Sequence, residues 1–284
     1  MTGRSKSSRR KRPKLGQNFL ADGGAAARIV GALGDLSHRT VLEIGPGRGA
    51  LTSLLATHAQ RLIAIELDRV MTAQLRMKYA AAANVEIIEG DILAIDLGEV
   101  LGSAPGPLRR LRRAPAEKAL VVGNIPYYIT SDILLRLFSF HTLLESVVIM
   151  VQREVAERIA ARTGSRDYGL LSATAQLYAR VEKLFTLPPG AFSPPPKVHS
   201  TVLRLVIAPQ IARLGIDEEQ FMAFLKLSFG QKRKTLLNNL RSRYDEAAIR
   251  SALSAAGVRP DVRAEALPLV KAAAIFRKLS AEVG

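Results

Sequence analysis

Between Thr40 and Ile207 the chain alternates short apolar runs with segments of helical periodicity. The runs 41–44, 62–65, 85–88, 120–122 and 147–151 are rich in Val and Ile and too short for helices, while the segments between them are long enough to hold one. Apolar runs without polar alternation suit strands covered on both faces. Strands separated by helix-length segments form βαβ units, so the pattern predicts an α/β fold built on a parallel sheet. Two further runs, 181–185 and 201–207, are joined by a Pro-rich turn at 188–196 and read as an antiparallel pair at the sheet edge. The sheet then has about seven strands.

After Pro209 the strand formers thin out, and residues 217–227, 232–240, 245–256 and 268–279 carry helical spacing, with Gly257 placed as a C-terminal cap. Three regions follow: a basic arm at 1–14, an α/β domain at 15–208 and a small all-helical domain at 209–284. The segment 101–119, with Gly102, Pro105, Gly106 and Pro107, reads as a loop inserted ahead of the fourth strand.

Charge sharpens this division. The chain has 284 residues and a formal net charge of +16. The arm carries +7, the 101–119 loop +4 through Arg109, Arg110, Arg112, Arg113 and Lys118 against Glu117, and residues 226–243 carry +6, including Lys232, Arg233 and Lys234. Together these exceed the total for the whole chain, so the remainder is almost neutral. Clustered basicity of this kind suits a polyanion-binding surface. Cysteine is absent, which excludes thiolate catalysis and Cys-ligated metals, and the four histidines, His38, His58, His141 and His199, show no metal-ligand spacing. No metal is therefore expected. No apolar run approaches the ~20 residues of a membrane span, and the arm lacks the apolar core of a secretory signal, so a soluble cytoplasmic protein is expected.

Candidate chemistry lies at the ends of the predicted strands. The first runs into Glu43-Ile44-Gly45-Pro46-Gly47-Arg48-Gly49 and then a helix, a loop in which Gly45 and Gly47 let the backbone approach a ligand. Glu66 ends the second strand, where it can accept from the ribose hydroxyls of a nucleoside cofactor, and Asp91 ends the third, near the cofactor's adenine. Asp91 has an alternative role as a helix cap. The glycine spacing is not the dinucleotide fingerprint, and S-adenosylmethionine has no pyrophosphate to require it. Asn124-Ile125-Pro126-Tyr127 closes the fourth strand. The lone pair of adenine N6 is delocalised into the ring, so methylating it calls for acceptors that hold the N–H bonds and favour a tetrahedral nitrogen. The Asn124 side-chain oxygen and the Ile125 carbonyl can supply them, Pro126 fixes the turn, and Tyr127 can stack on a base removed from its helix.

With these motifs in order, the sequence resembles the KsgA-type small-subunit ribosomal RNA adenine dimethyltransferases over roughly residues 12–280. The resemblance is carried by Lys14-Leu15-Gly16-Gln17-Asn18-Phe19-Leu20, the glycine loop, Asn124 to Tyr127, Val151-Gln152-Arg153-Glu154-Val155-Ala156, Tyr168-Gly169-Leu170-Leu171-Ser172, Phe192-Ser193-Pro194-Pro195-Pro196-Lys197-Val198 and Lys232-Arg233-Lys234-Thr235-Leu236. It implies a Rossmann-like class I methyltransferase fold and N6,N6-dimethylation of two adjacent adenosines near the 3′ end of 16S-type rRNA. S-adenosylmethionine would be the methyl donor, and a monomer would act on a pre-ribosomal small subunit. It places Asn18 and Leu20 at the methionine end of the cofactor, Gly45 in its glycine loop, Glu66 on the ribose, Asp91 on the adenine and Asn124 at the reacting amine. Phe192 would sandwich the target base with Tyr127, its alternative role being an apolar anchor of the Pro-rich turn. The first 11 residues have no counterpart among the family's motifs, and the 101–119 loop is longer and more Arg-rich than the family pattern. Two other functions compete: a large-subunit rRNA adenine methyltransferase of the antibiotic-resistance type, and a non-catalytic RNA-binding assembly or transcription factor.

Overall fold

In the computed structural model, the described residues are 18–102, 117–126 and 129–281. The basic arm at 1–14, Arg109, Arg110, Arg112, Arg113 and Tyr127 lie outside them. Among the described residues nine strands occur: β1 (Phe19–Leu20), β2 (Thr40–Ile44), β3 (Arg61–Glu66), β4 (Val85–Glu89), β5 (Ala119–Asn124), β6 (Leu144–Gln152), β7 (Ala179–Leu187), β8 (Phe192–Ser193) and β9 (Ser200–Ile207). Seven form one sheet in the order β4-β3-β2-β5-β6-β9-β7. β2 to β6 are mutually parallel, and β9 runs antiparallel between β6 and the edge strand β7. All seven apolar runs are therefore strands, and the expected antiparallel pair is at the edge.

Alternate residues of each parallel strand serve opposite faces. Val41, Leu62, Leu120 and Val122 pack with Ala26, Ile29 and Leu55 of the helices Gly23–Gly31 and Thr52–His58. Leu42, Ile44, Ile63, Val121 and Ile149 pack on the other side with Ile133, Leu137 and Phe138 of the helix Thr130–Phe138 and with the helix Leu170–Tyr178. Burial on both faces explains why these strands read as continuous apolar runs.

The segment beyond Pro209 is helical as expected, but two boundaries move. Residues 232–240 are not one helix; the helix is Leu236–Leu240, because Thr235 is extended and its hydroxyl accepts from the Asn238 N–H, capping a helix that starts after the Lys-Arg-Lys run. In the segment read as an inserted loop, residues 101 and 102 are instead the end of a helix, Leu97–Gly102, whose Leu97 and Leu101 are buried. Gly257 takes a positive φ of 60° after the helix Glu246–Ala255, as its capping role requires.

The apolar cluster on the second face runs without a break into Phe221, Phe224, Leu236, Ile249, Ile275 and Phe276 of the C-terminal helices. The join is specific: Phe138 stacks on Tyr178 with ring centroids 5.0 Å apart, and the Tyr178 hydroxyl donates to Glu218 Oε1 at 2.8 Å. Burial and this acceptor hold the Tyr178 hydroxyl well above its ordinary pKa, so it stays a donor. Phe138 is 1% exposed. Its replacement by alanine is expected to cost about 3–5 kcal/mol, whereas Tyr178→Phe, which keeps the stacked ring, costs about 1 kcal/mol; urea unfolding of the two variants checks this order.

Candidate active site

β2 leads to β3 and β4 on one side, while its other neighbour is β5, so the strand order reverses between β2 and β5. Carboxyl ends of strands at such a reversal diverge and leave a crevice. The cavity found there is lined by the four strand ends expected from the sequence: Gly45 and Gly47 after β2, Glu66 ending β3, Asp91 after β4, and Asn124, Ile125 and Pro126 at the end of β5. Asn18 and Leu20 complete it from the amino-terminal side.

The glycine loop is bent by Gly45 (φ 65°) and Gly47 (φ 56°). At Gly47 a side chain would also collide, since a Cβ would stand 2.8 Å from the Phe19 ring. This close approach turns the Gly47 N–H onto Glu66 Oε2 at 2.9 Å, while the Asp68 N–H donates to Oε1 at 2.9 Å. Glu66 is thus fixed by two backbone donors, and a carboxylate still has lone pairs for further donors. Asp91 caps no helix, since the next one begins at Leu97. Its Oδ1 accepts from the Leu93 N–H at 2.9 Å in a local turn, and the residue still lines the cavity.

Asn124 is set by a strap from the other end of the chain. β1 pairs antiparallel with β8, Phe19 opposite Ser193 and Leu20 opposite Phe192, and the Ala21 and Asp22 N–H groups both donate to the Ala191 carbonyl. The strap passes over the glycine loop, where the Arg48 guanidinium lies 4.6 Å from the Phe19 ring centroid. It presents the Asn18 carbonyl to Asn124 Nδ2 at 2.9 Å. Turned this way, the Asn124 amide offers Oδ1 as an acceptor at the cavity wall.

Of the two roles open to Phe192, its burial supports the anchor. Phe192 is 4% exposed and packs in the apolar cluster with Leu20, Leu187 and Val202, so it anchors the strap from beneath and does not line the cavity. Ile125 contributes a side chain buried in the core as well as its position at the turn. In the basic segment Lys232, Arg233 and Lys234 are all exposed, and the Lys232 ammonium donates to the Arg166 carbonyl at 2.7 Å. Among the described residues no group of three or more acidic, His or Cys side chains could hold a metal ion.

The family model for ribosomal RNA adenine dimethylase matches residues 8–280. The chain belongs to this family. It is 60% identical to the ribosomal RNA small subunit methyltransferase A of Koribacter versatilis over 98% of both chains. It is 55% identical to the protein of the same name from Acidobacterium capsulatum, over 94% of this chain and 91% of that one. Among solved structures it resembles a dimethyladenosine transferase from Plasmodium falciparum (26% identity, TM-score 0.71, 93% and 96% covered). It also resembles the 23S rRNA methyltransferase ErmE (27% identity, TM-score 0.64, 93% and 100% covered). The fold is thus that of a Rossmann-like methyltransferase with a helical C-terminal region, and the protein is an rRNA adenine dimethyltransferase.

Sequence inspection passed over several residues that shape this dimethylase cavity. Phe19, Arg48, Leu67 and Ile92 line it, and so does Glu43, which is 1% exposed. An acid between Leu42 and Ile44, inside a run read as buried on both faces, was the signal available. Glu43 Oε2 has no hydrogen-bond partner, and burial pushes the carboxyl up to about 8, with nearby Thr52 opposing that rise and the charge of Glu66 adding to it. The neutral form is therefore the one the fold favours. Its stabilising contribution is complete below the ordinary value of 4.5 and is lost as pH rises through about 8. Glu43→Gln cannot ionise. Its melting temperature, compared with that of the wild type at about pH 5.5 and about pH 8.5, is expected to show a larger advantage at the higher pH.

Proposed function

We propose that the chain methylates N6 of two adjacent adenosines near the 3′ end of small-subunit rRNA, using S-adenosylmethionine, and leaves N6,N6-dimethyladenosine. It acts as a monomer on a pre-ribosomal particle in the cytoplasm; among the described residues no helix is long and apolar enough to cross a membrane. The observation that carries the chemistry is the oriented amide of Asn124. One Nδ2–H is given to the Asn18 carbonyl, which fixes how the amide is turned and leaves Oδ1 as a neutral acceptor beside the Pro126 turn, suited to an exocyclic amine. A charged base is unnecessary, because the amine proton becomes acidic only as the new C–N bond forms.

The cavity suits the cofactor. Glu66, already oriented by two backbone N–H groups, retains lone pairs for ribose hydroxyls, and Asp91 keeps one carboxylate oxygen beyond its local turn. The unpartnered Glu43 oxygen offers an acceptor to a cationic amino-acid end. The glycine loop, Asn18 and Leu20 wall that end of the cavity. When bound, the cofactor supplies an activated methyl group; the protein's part is to place the amine and keep it oriented. Tyr127 would stack on the flipped base. Arg233 and Lys234, together with the arm and Arg109, Arg110, Arg112 and Arg113, would meet phosphates.

The intact Asn124 geometry favours an enzyme over a non-catalytic assembly factor. Identity of 60% to a protein named for the small subunit, against 27% to the 23S enzyme, favours the small-subunit substrate over the large. Labelled methyl transfer to unmethylated small subunits, large subunits and naked RNA, with mapping of the modified base, tests this choice. Product on large subunits alone would overturn it. Asn124→Ala is expected to reduce transfer at least about a hundredfold while leaving cofactor affinity nearly intact, and normal turnover would remove the role given to its amide. Glu66→Ala is expected to weaken cofactor binding by about 2 kcal/mol in calorimetry, with little change in RNA affinity.

A further inference from the structure

Away from the cofactor cavity, a cleft of about 670 Å³ opens where the sheet domain meets the C-terminal helices. Its walls come from segments far apart in sequence: Ser131 in the first turn of the helix Thr130–Phe138, Arg158 of the helix Arg153–Ile159, the loop through Arg166, and Lys232. Glu154 also lines the cleft, but it forms an ion pair with Arg158, so the charges left for a ligand are Arg166 and Lys232 against Asp167. The Arg166 guanidinium has no hydrogen-bond or ion-pair partner among the described residues. The ammonium of Lys232 donates one N–H to the Arg166 carbonyl, which leaves two more and draws the cations of both domains to one spot.

The backbone adds to this. The nine-residue helix Leu170–Tyr178 begins at the cleft with Gly169 as its N-cap, a residue with no side chain to satisfy the first-turn N–H groups. Tyr168, 1% exposed, lines the same cleft, and its buried hydroxyl has no hydrogen-bond partner. Ser131 lies on the side of its helical turn opposite Ile129 and Ile133, which line the cofactor cavity. Cleft and cavity are therefore separated by the width of one helix, roughly 10 Å.

We propose that this cleft is a phosphate site that grips the RNA strand next to the target adenosine, with Arg166, Lys232 and the first-turn N–H groups of Leu170–Tyr178 as donors. The proposal rests on the rRNA substrate given under Proposed function and extends it to a site beyond the catalytic cavity. It separates Lys232, which lines the cleft, from Arg233 and Lys234, which do not. It also assigns Asp167 an opposing role, since its charge repels the ligand.

Affinity for a small-subunit rRNA fragment, measured by fluorescence anisotropy across a salt series, tests the site alongside steady-state methyl transfer. For the variant carrying both Arg166→Ala and Lys232→Ala, the KM for RNA is expected to rise about tenfold or more, with kcat at saturating RNA and cofactor affinity unchanged. The slope of log affinity against log salt should shrink by about 0.7 to 0.9 for the phosphate released. Arg166→Lys should restore part of the loss, and Asp167→Asn should tighten RNA binding two- to threefold, roughly the effect of removing one exposed charge. An unchanged salt slope in a double variant that melts like the wild type overturns the proposal. So does loss of binding to a ribosomal protein with naked-RNA affinity intact. If the double variant does not fold, Asp167→Asn decides: tighter RNA binding supports the site and unchanged binding overturns it. Methyl transfer by the wild type to neither subunit's RNA would bring down the functional reading first, and this one with it.

Discussion

The parallel pairing of β2 with β5 is the constraint on which the site depends. These strands leave the sheet side by side, one into the glycine loop and the other into the Asn124 turn, with Ile44 opposite Gly123. A Cβ at Gly123 would stand 2.8 Å from the Ile44 carbonyl oxygen, so the two backbones approach as closely as they do only because that position has no side chain. Everything that must act together diverges from this contact: the loop that would bear on the cofactor, and the amide that would hold the amine. A wider gap between the strands would separate those two functions by the same distance.

The second level of organisation is the strap. β1 is two residues long and could not persist alone, yet it is held by β8, by Leu20 in the apolar cluster and by the Ala191 carbonyl. Through the Asn18 carbonyl, a segment at the beginning of the chain fixes how the Asn124 amide is turned.

Much of this could be read from the sequence, for identifiable reasons. Buried parallel strands leave uninterrupted Val and Ile runs, and functional groups at strand ends follow those runs immediately, so Gly45, Glu66, Asp91 and Asn124 could be located before any coordinates. What escaped notice depended on distant partners. The pairing of Phe19–Leu20 with Phe192–Ser193 joins segments more than 170 residues apart, and neither has a strand pattern of its own. The motif at Phe192 allows either a sandwich on the substrate or an anchor of the Pro-rich turn, and its packing with Leu20, which favours the anchor, is a tertiary fact. The helical spacing of 232–240 continued through Thr235, where a local side-chain hydrogen bond prevailed over periodicity. Glu43 shows the reverse case: its burial followed from the strand pattern, and its significance lay in being a carboxyl there at all.

The unbroken apolar cluster beneath Phe138 and Tyr178 bears on how this molecule could be altered. A region that shares its interior with its neighbour is not a detachable module. Cutting the chain near Pro209 would remove helices that pack on the helix Leu170–Tyr178, and it would take away the Glu218 acceptor of Tyr178. Heat should therefore melt sheet and helices in one calorimetric transition, the two halves behaving as a single cooperative unit.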